Sequence, residues 1–262
     1  MKKEEKRWLV YRKENPNMKV RLFCLPYAGA SASYYVKWQR YISDWIEICP
    51  IQLPGREARQ DEEFITNMSQ LISEIIEDIK PFLDSPFAIF GHSLGGIIGF
   101  ELASALIHKH GINPIHLFVS GSIPPRLAAD REAIHNLPDE EFKEKLSKYN
   151  GTNLTVLDSY EFDKYFMPIL RNDFKLFEDY RYSSNEELRC PIKAYVGKVD
   201  LLVTEKQTRL WNEYTLSDFD YEVLEGDHFY INRYWKFLCD DICNEIEKKG
   251  RVFSEKYNRT IG

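Results

Sequence analysis

The sharpest chemical signal in this 262-residue sequence is Gly91-His92-Ser93-Leu94-Gly95-Gly96. It matches G-x-S-x-G and stands between a short apolar run at 87–90 and a helical pattern that begins at 94. A serine on so tight a strand-to-helix turn is exposed for attack on a carbonyl, and the flanking glycines leave room for the neighbouring strand and helix. Serine alone is a weak nucleophile. It needs a general base, and the base needs a carboxylate to orient it. This motif expects the order serine, acid, histidine. Of six histidines, His92 precedes the serine, His108, His110 and His116 follow too soon, and His135 falls in an irregular stretch. His228, in the loop Glu225-Gly226-Asp227-His228 after an apolar run, is the expected base. Asp200, in Gly197-Lys198-Val199-Asp200, is the expected acid. Asp227 is adjacent to the base and poorly placed to bond it, and Asp173 lies in the irregular stretch. For the oxyanion, the backbone N–H of Leu94 is one expected donor. The second comes from Pro26-Tyr27-Ala28-Gly29, with Ala28 preferred over Tyr27.

These residues need elements to hold them. Residues 20–25, 46–53, 87–90, 115–119, 192–196 and 219–224 read as strands. The second contains Pro50, which cannot donate to a ladder and points to a bulge or an edge. Helical spacing fills 64–83, 94–110, 204–215 and 232–247. Strands separated by helices of this length give an α/β fold with a mostly parallel central sheet flanked by helices. Asp200 and His228 both follow strands, at the end where ligands gather in such sheets. More than 70 residues separate the strands at 115–119 and 192–196. They hold helical patterns near 138–148 and 155–181 and read as a helical lid insertion, since a structureless loop that long is improbable.

The expected organisation is therefore a basic segment at 1–17, a core of 18–123 and 188–247, a lid at 124–187 and a basic tail at 248–262. Residues 1–13 hold six Lys/Arg against two Glu, and residues 248–262 five against one. Each end thus carries +4, and the body −14 of a net −6. The ends read as solvated, frayed termini. The net charge argues against nucleic-acid binding. Five cysteines without C-x-x-C point to reduced thiols in a cytoplasmic protein, with Cys239 and Cys243 on the apolar face of a helix. No signal peptide and no membrane-spanning run is visible. Aromatic residues number 37, and eight of them fall within 160–182, inside the lid. Most should pack the lid onto the body, and a few should line a substrate channel.

Taken together, the motifs resemble the type II thioesterases of the α/β-hydrolase fold, free-standing partners of polyketide and nonribosomal peptide synthetases. Leu25-Pro26-Tyr27-Ala28-Gly29 resembles the family's oxyanion loop and Leu53-Pro54-Gly55-Arg56-Glu57 its next loop. Leu170-Arg171-Asn172-Asp173 resembles its lid signature, and Gly226-Asp227-His228-Phe229 the loop of its base. Gly29-Ala30 replaces the family's usual Gly-Gly. The resemblance implies hydrolysis of acyl thioesters on the phosphopantetheine arm of acyl or peptidyl carrier-protein domains. The partner brings that arm, so no metal and no bound cofactor is expected, and the chain should act as a monomer. A small-molecule carboxylesterase or acyl-CoA thioesterase on the same fold is the alternative; a non-catalytic acyl-binding module would not need the complete serine, acid and histidine set. Carrier proteins of this kind are acidic. Against a body at −14 they need a local basic patch or apolar contacts, and Arg56, Arg59, Arg126 and Arg131 are the candidates for the patch.

Overall fold

The computed structural model describes residues 7–149, 157–183 and 186–259. Six strands form one sheet: β1 (Val20–Leu25), β2 (Ile46–Pro50), β3 (Phe87–His92), β4 (His116–Ser120), β5 (Ile192–Gly197) and β6 (Phe219–Leu224). Their order is β2-β1-β3-β4-β5-β6, and every neighbouring pair is parallel. The α/β reading of the sequence therefore holds. Pro50 ends the edge strand, where its missing N–H costs no ladder bond.

Burial on both faces explains the near-continuous apolar strands. In β1, Phe23 and Leu25 face one hydrophobic cluster while Val20, Leu22 and Cys24 face the other. In β3, Phe87 and Ile89 pair with the first cluster, Ala88 and Phe90 with the second. The first cluster is closed by helices α1 (Met68–Ile79) and α2 (Leu94–His110). The spacing of Met68, Leu71, Ile72, Ile75, Ile76 and Ile79 puts all six on the buried stripe of α1, and the Asn67 side chain caps its first turn. The second cluster is closed by a 3-10 stretch, Ala32–Arg40, and by the long helix that starts at Ile231. Leu238, Cys239, Ile242 and Cys243 lie buried on that helix, as the four-residue spacing of the cysteines predicts.

The ends of the chain differ from the sequence reading. Trp8 and Leu9 are 2% exposed and join the first cluster. The Trp8 carbonyl accepts the Gln52 N–H at 2.8 Å, and the Arg59 guanidinium lies 4.1 Å over the indole. Two large apolar side chains beside the basic run drive this docking. At the other end the last helix runs on to Arg259. Residues 1–6 and 260–262 of the basic ends, and 150–156 and 184–185 of the insertion, lie outside the described residues.

Between β4 and β5 stand α3 (Asp139–Ser147), a π-helical turn (Phe162–Phe166) and α4 (Met167–Glu178). They carry their own small core of Ile134, Phe142, Leu146, Leu157, Phe162 and Met167. A short α5 (Glu205–Arg209) follows β5, and the helix from Ile231 to Arg259 is α6.

Candidate active site

The sheet reverses its winding at β1. The chain goes outward to β2 and returns to β3 on the other side of β1. Loops leaving β1 and β3 therefore diverge at their C-terminal ends and leave a crevice there. Ser93 follows β3 and Ala28 follows β1, and both line one cavity. Ser93 is held at φ 53°, a left-handed conformation costly for a residue with a Cβ. Its N–H bonds the Ser120 carbonyl at 2.8 Å, tying the turn to β4. The turn is tight enough to demand glycine. A Cβ on Gly91 would lie 2.0 Å from the Gly95 oxygen, and one on Gly95 would lie 2.3 Å from the Leu25 oxygen.

His228 and Asp200 converge on the serine. His228 Nε2 lies 3.0 Å from Ser93 Oγ, and His228 Nδ1 lies 2.8 Å from Asp200 Oδ2. A carboxylate on Nδ1 sets the tautomer, leaving Nε2 free to accept the serine proton. Asp200 is itself held, because Oδ1 accepts the N–H groups of Leu202 and Val203 at 2.7 and 3.0 Å. Both partners are buried, with Asp200 7% and His228 4% exposed. The expected oxyanion donors, Ala28 and Leu94, line the same cavity as Ser93 and His228. Leu94 opens α2, where the first N–H groups lack intrahelical partners and the helix dipole favours negative charge. Tyr27, the second choice, lines the larger neighbouring compartment together with Ala28. Its ring packs edge-on against His92 and Phe229 at 5.6 and 5.5 Å.

Two compartments meet at Ser93. The inner one, about 80 Å³, is lined by Gly121, Ile123, Phe177 and Val203 among others. The outer one, about 270 Å³, is lined by Tyr27, Leu146, Phe162, Phe166, Leu170 and Phe229. Phe174 and Tyr149 border both. The eight aromatic residues of 160–182 thus divide in three, with Tyr160 and Tyr165 exposed and more rings at the compartments than on the body, against the expectation. Phe162, Phe166, Phe174 and Phe177 face the compartments, while Tyr180 and Tyr182 pack on the body through Glu101 and Phe100.

Several features were not legible in the sequence. His92 is fully buried behind His228, their ring centres 5.2 Å apart. Its Nδ1 bonds Ser120 Oγ at 2.9 Å, and that hydroxyl meets the Tyr230 hydroxyl at 2.6 Å. Burial, and then the neighbouring His228, push the His92 pKa well below its usual 6.5. Burial likewise raises the Tyr230 phenol. The alternating strand register, which sends His92 away from the surface that Ser93 occupies, is the only sequence signal for this pair.

The expected basic patch is corrected. Arg56 and Arg59 are each 2% exposed. Arg56 forms a two-pronged ion pair with Asp173 at 2.7 and 2.6 Å. Arg59 pairs with Glu62 at 2.9 and 2.7 Å and donates to the Gln52 carbonyl. Arg131 is half-buried and donates to the Leu202 carbonyl. Each guanidinium has found acceptors inside the protein, as a buried charge must. Arg126 alone of the four is exposed, 4.0 Å from Glu213. No described helix is long and apolar enough to cross a membrane.

Known proteins resemble this chain over most of its length. The chain is 39% identical over 240 residues to the gramicidin S biosynthesis protein GrsT of Aneurinibacillus migulanus, covering 92% of this chain and 94% of that one. The crystal structure of ClbQ from the colibactin NRPS/PKS pathway superposes with a TM-score of 0.83 at 33% identity, covering 89% of this chain and 99% of that one. The RedJ thioesterase from the prodiginine biosynthetic pathway of Streptomyces coelicolor gives 0.82 at 30%, covering 88% and 87%. A family model described as a thioesterase domain matches residues 20–249, and the chain belongs to that family.

Proposed function

We propose that this thioesterase hydrolyses acyl groups held as thioesters on the phosphopantetheine arm of carrier-protein domains of a nonribosomal peptide or polyketide synthetase. The observation that carries the reading is the hydrogen-bonded line Asp200–His228–Ser93 at the junction of two compartments. His228 Nε2 takes the hydroxyl proton as Ser93 Oγ attacks the thioester carbonyl. Asp200 stabilises the imidazolium that forms. The N–H groups of Ala28 and Leu94 receive the oxyanion. The tetrahedral adduct collapses with loss of the pantetheine thiol, which takes the proton from His228. Water, deprotonated by the same imidazole, then attacks the acyl-serine and releases the free acid. The chemistry so written draws on no metal or bound cofactor.

The compartments suit the two halves of such a substrate. The inner compartment, at about 80 Å³, is the smaller of the two, which favours a short acyl chain there. The larger outer compartment takes the arm. Docking then relies on apolar contact more than charge. Val199 and Leu201, beside Asp200, are 63% and 76% exposed, and Tyr165 and Phe166 of the lid turn are 54% and 49% exposed. Coenzyme A is itself polyanionic, so the −14 body disfavours acyl-CoA, the rival substrate, no less than an acidic carrier protein.

The deciding experiment compares one acyl group on a carrier protein and on coenzyme A, with Ser93→Ala as control. Ser93→Ala should lose at least about 10³-fold in kcat on either substrate. The carrier reading expects the higher kcat/KM on the carrier protein. A preference for the coenzyme A ester would reject it, and full activity of Ser93→Ala would reject the mechanism.

A further inference from the structure

We infer that Asp173, carried by the lid helix α4, is a positioning residue that sets the oxyanion hole. This rests on the hydrolase reading above and adds a residue to it. Asp173 is 3% exposed and reaches across to the loop after β1. Its Oδ2 accepts the Gly29 N–H at 2.8 Å and Arg56 Nη1 at 2.7 Å, and its Oδ1 accepts Arg56 Nη2 at 2.6 Å. Arg56 Nη1 also donates to the Ala30 carbonyl at 3.0 Å. One carboxylate and one guanidinium therefore hold the loop from both sides, by the N–H of residue 29 and the C=O of residue 30.

The peptide so held adjoins the Ala28 N–H, the proposed oxyanion donor. With Gly29 and Ala30 fixed, the preceding Ala28 amide, at the cavity that Ser93 also lines, is held in one orientation. The same helix presses on the loop a second time. Leu170, three residues before Asp173 and on the same face, lies so close that a Cβ on Gly29 would come within 2.6 Å of its Cδ2. Gly29 itself stands at φ +81°, which glycine adopts without steric cost, so the chain can turn here and present its N–H to Asp173.

A buried ion pair is a poor way to gain stability alone, since apolar residues of similar size serve as well. An oxyanion hole, by contrast, works only when its donors are held to within about 0.5 Å. Pairing Asp173 with a backbone N–H of the oxyanion loop answers the second need. It also makes hole assembly conditional on α4 being seated.

The test uses a short soluble acyl thioester, so that it does not depend on the carrier protein. Asp173→Asn keeps the shape and drops the charge. The double variant Arg56→Met with Asp173→Leu removes the Gly29 acceptor without stranding a buried charge. Positioning expects kcat to fall about 10²-fold in the double variant, with KM within about threefold. The inhibition constant of an alkyl boronic acid, whose tetrahedral adduct occupies the oxyanion hole, should rise in parallel. A folded double variant with undiminished kcat overturns the inference. So does a fall in kcat with boronate affinity unchanged. If neither variant folds, the pair is a folding element only and the positioning role is rejected. Wild-type protein inert towards the thioester would instead reject the hydrolase reading, before Asp173 is in question.

Discussion

His92 shows what a single side chain can and cannot reveal. It sits next to the nucleophile in sequence, yet the strand register turns it into the interior, against Ser120 and behind His228. Burial first, and the nearby imidazole second, keep it neutral to well below pH 6.5. In the unfolded chain the same imidazole takes up a proton near its usual value. Between those two values the unfolded state holds more protons, so stability rises with pH. The contribution is complete above about pH 6.5 and is lost as pH falls below it, by at most about 1.4 kcal/mol per pH unit. His92→Asn keeps a hydrogen-bonding group near Ser120 and cannot titrate. Urea unfolding from pH 7 down to pH 5 should therefore show a shallower loss in the variant than in the wild type. Equal slopes would mean that His92 binds its proton equally well in the folded and the unfolded chain, and would contradict the burial argument.

Elements were more legible than their charged anchors. The strands could be read because both faces of the sheet are buried and each strand is short, apolar and bounded by turn residues. Asp200 and His228 could be read because the order of the motif and the strand ends left few rivals. Arg56 could not. A sequence displays charge, but burial depends on partners, and its partner Asp173 stands 117 positions away on another element. Trp8 was hidden in the same way, by basic neighbours that suggested a frayed end. The edge strand β2 makes this testable. Glu47 is 2% exposed and pairs with Arg12 at 2.8 Å and Arg21 at 3.1 Å, while accepting the Asn15 N–H at 2.9 Å. Burial alone would raise its pKa. The bonds from Arg12, Asn15 and Arg21 outweigh that and hold it below 4.5. Glu47→Gln leaves the Arg12 guanidinium short of a counter-charge inside the protein, while Arg21 keeps Asp84 at 2.6 Å. The expected loss is about 3–5 kcal/mol, or roughly 10 °C in Tm. Because the folded pKa is depressed, this stability is present above pH 4.5 and fades as pH falls through the folded value. The gap between wild type and variant should therefore close in acid. Thermal melts at pH 7 and pH 3.5 measure both effects, and a gap that persisted undiminished at pH 3.5 would contradict the assignment.

At the scale of the whole molecule, lid and body act together through the space they enclose. The aromatic excess in 160–182 follows from this, because the lid needs rings both to seat itself and to wall the compartments. Phe174 stands beside Tyr149 where the two compartments meet. It borders both, packs edge-on against Phe142 at 5.8 Å and stacks on Tyr149 at 6.2 Å. Removing it widens the opening between the two compartments beyond their junction at Ser93 and gives a longer acyl chain apolar surface to bury. Each methylene buried contributes about 0.8 kcal/mol, or roughly fourfold in affinity. Phe174→Ala should therefore raise kcat/KM for an eight-carbon acyl thioester relative to a four-carbon one by about 10-fold or more. Only part of the four extra methylenes needs to be covered for that change. The ring is half-buried, so the cost in stability should fall below the about 3–5 kcal/mol typical of a core phenylalanine. Activity on the four-carbon substrate should persist, since Asp200, His228 and Ser93 do not depend on this ring for their hydrogen bonds. Specificity constants across a four- to twelve-carbon series give the answer. An unchanged ratio would place the acyl chain elsewhere, away from the inner chamber and the ring that borders it.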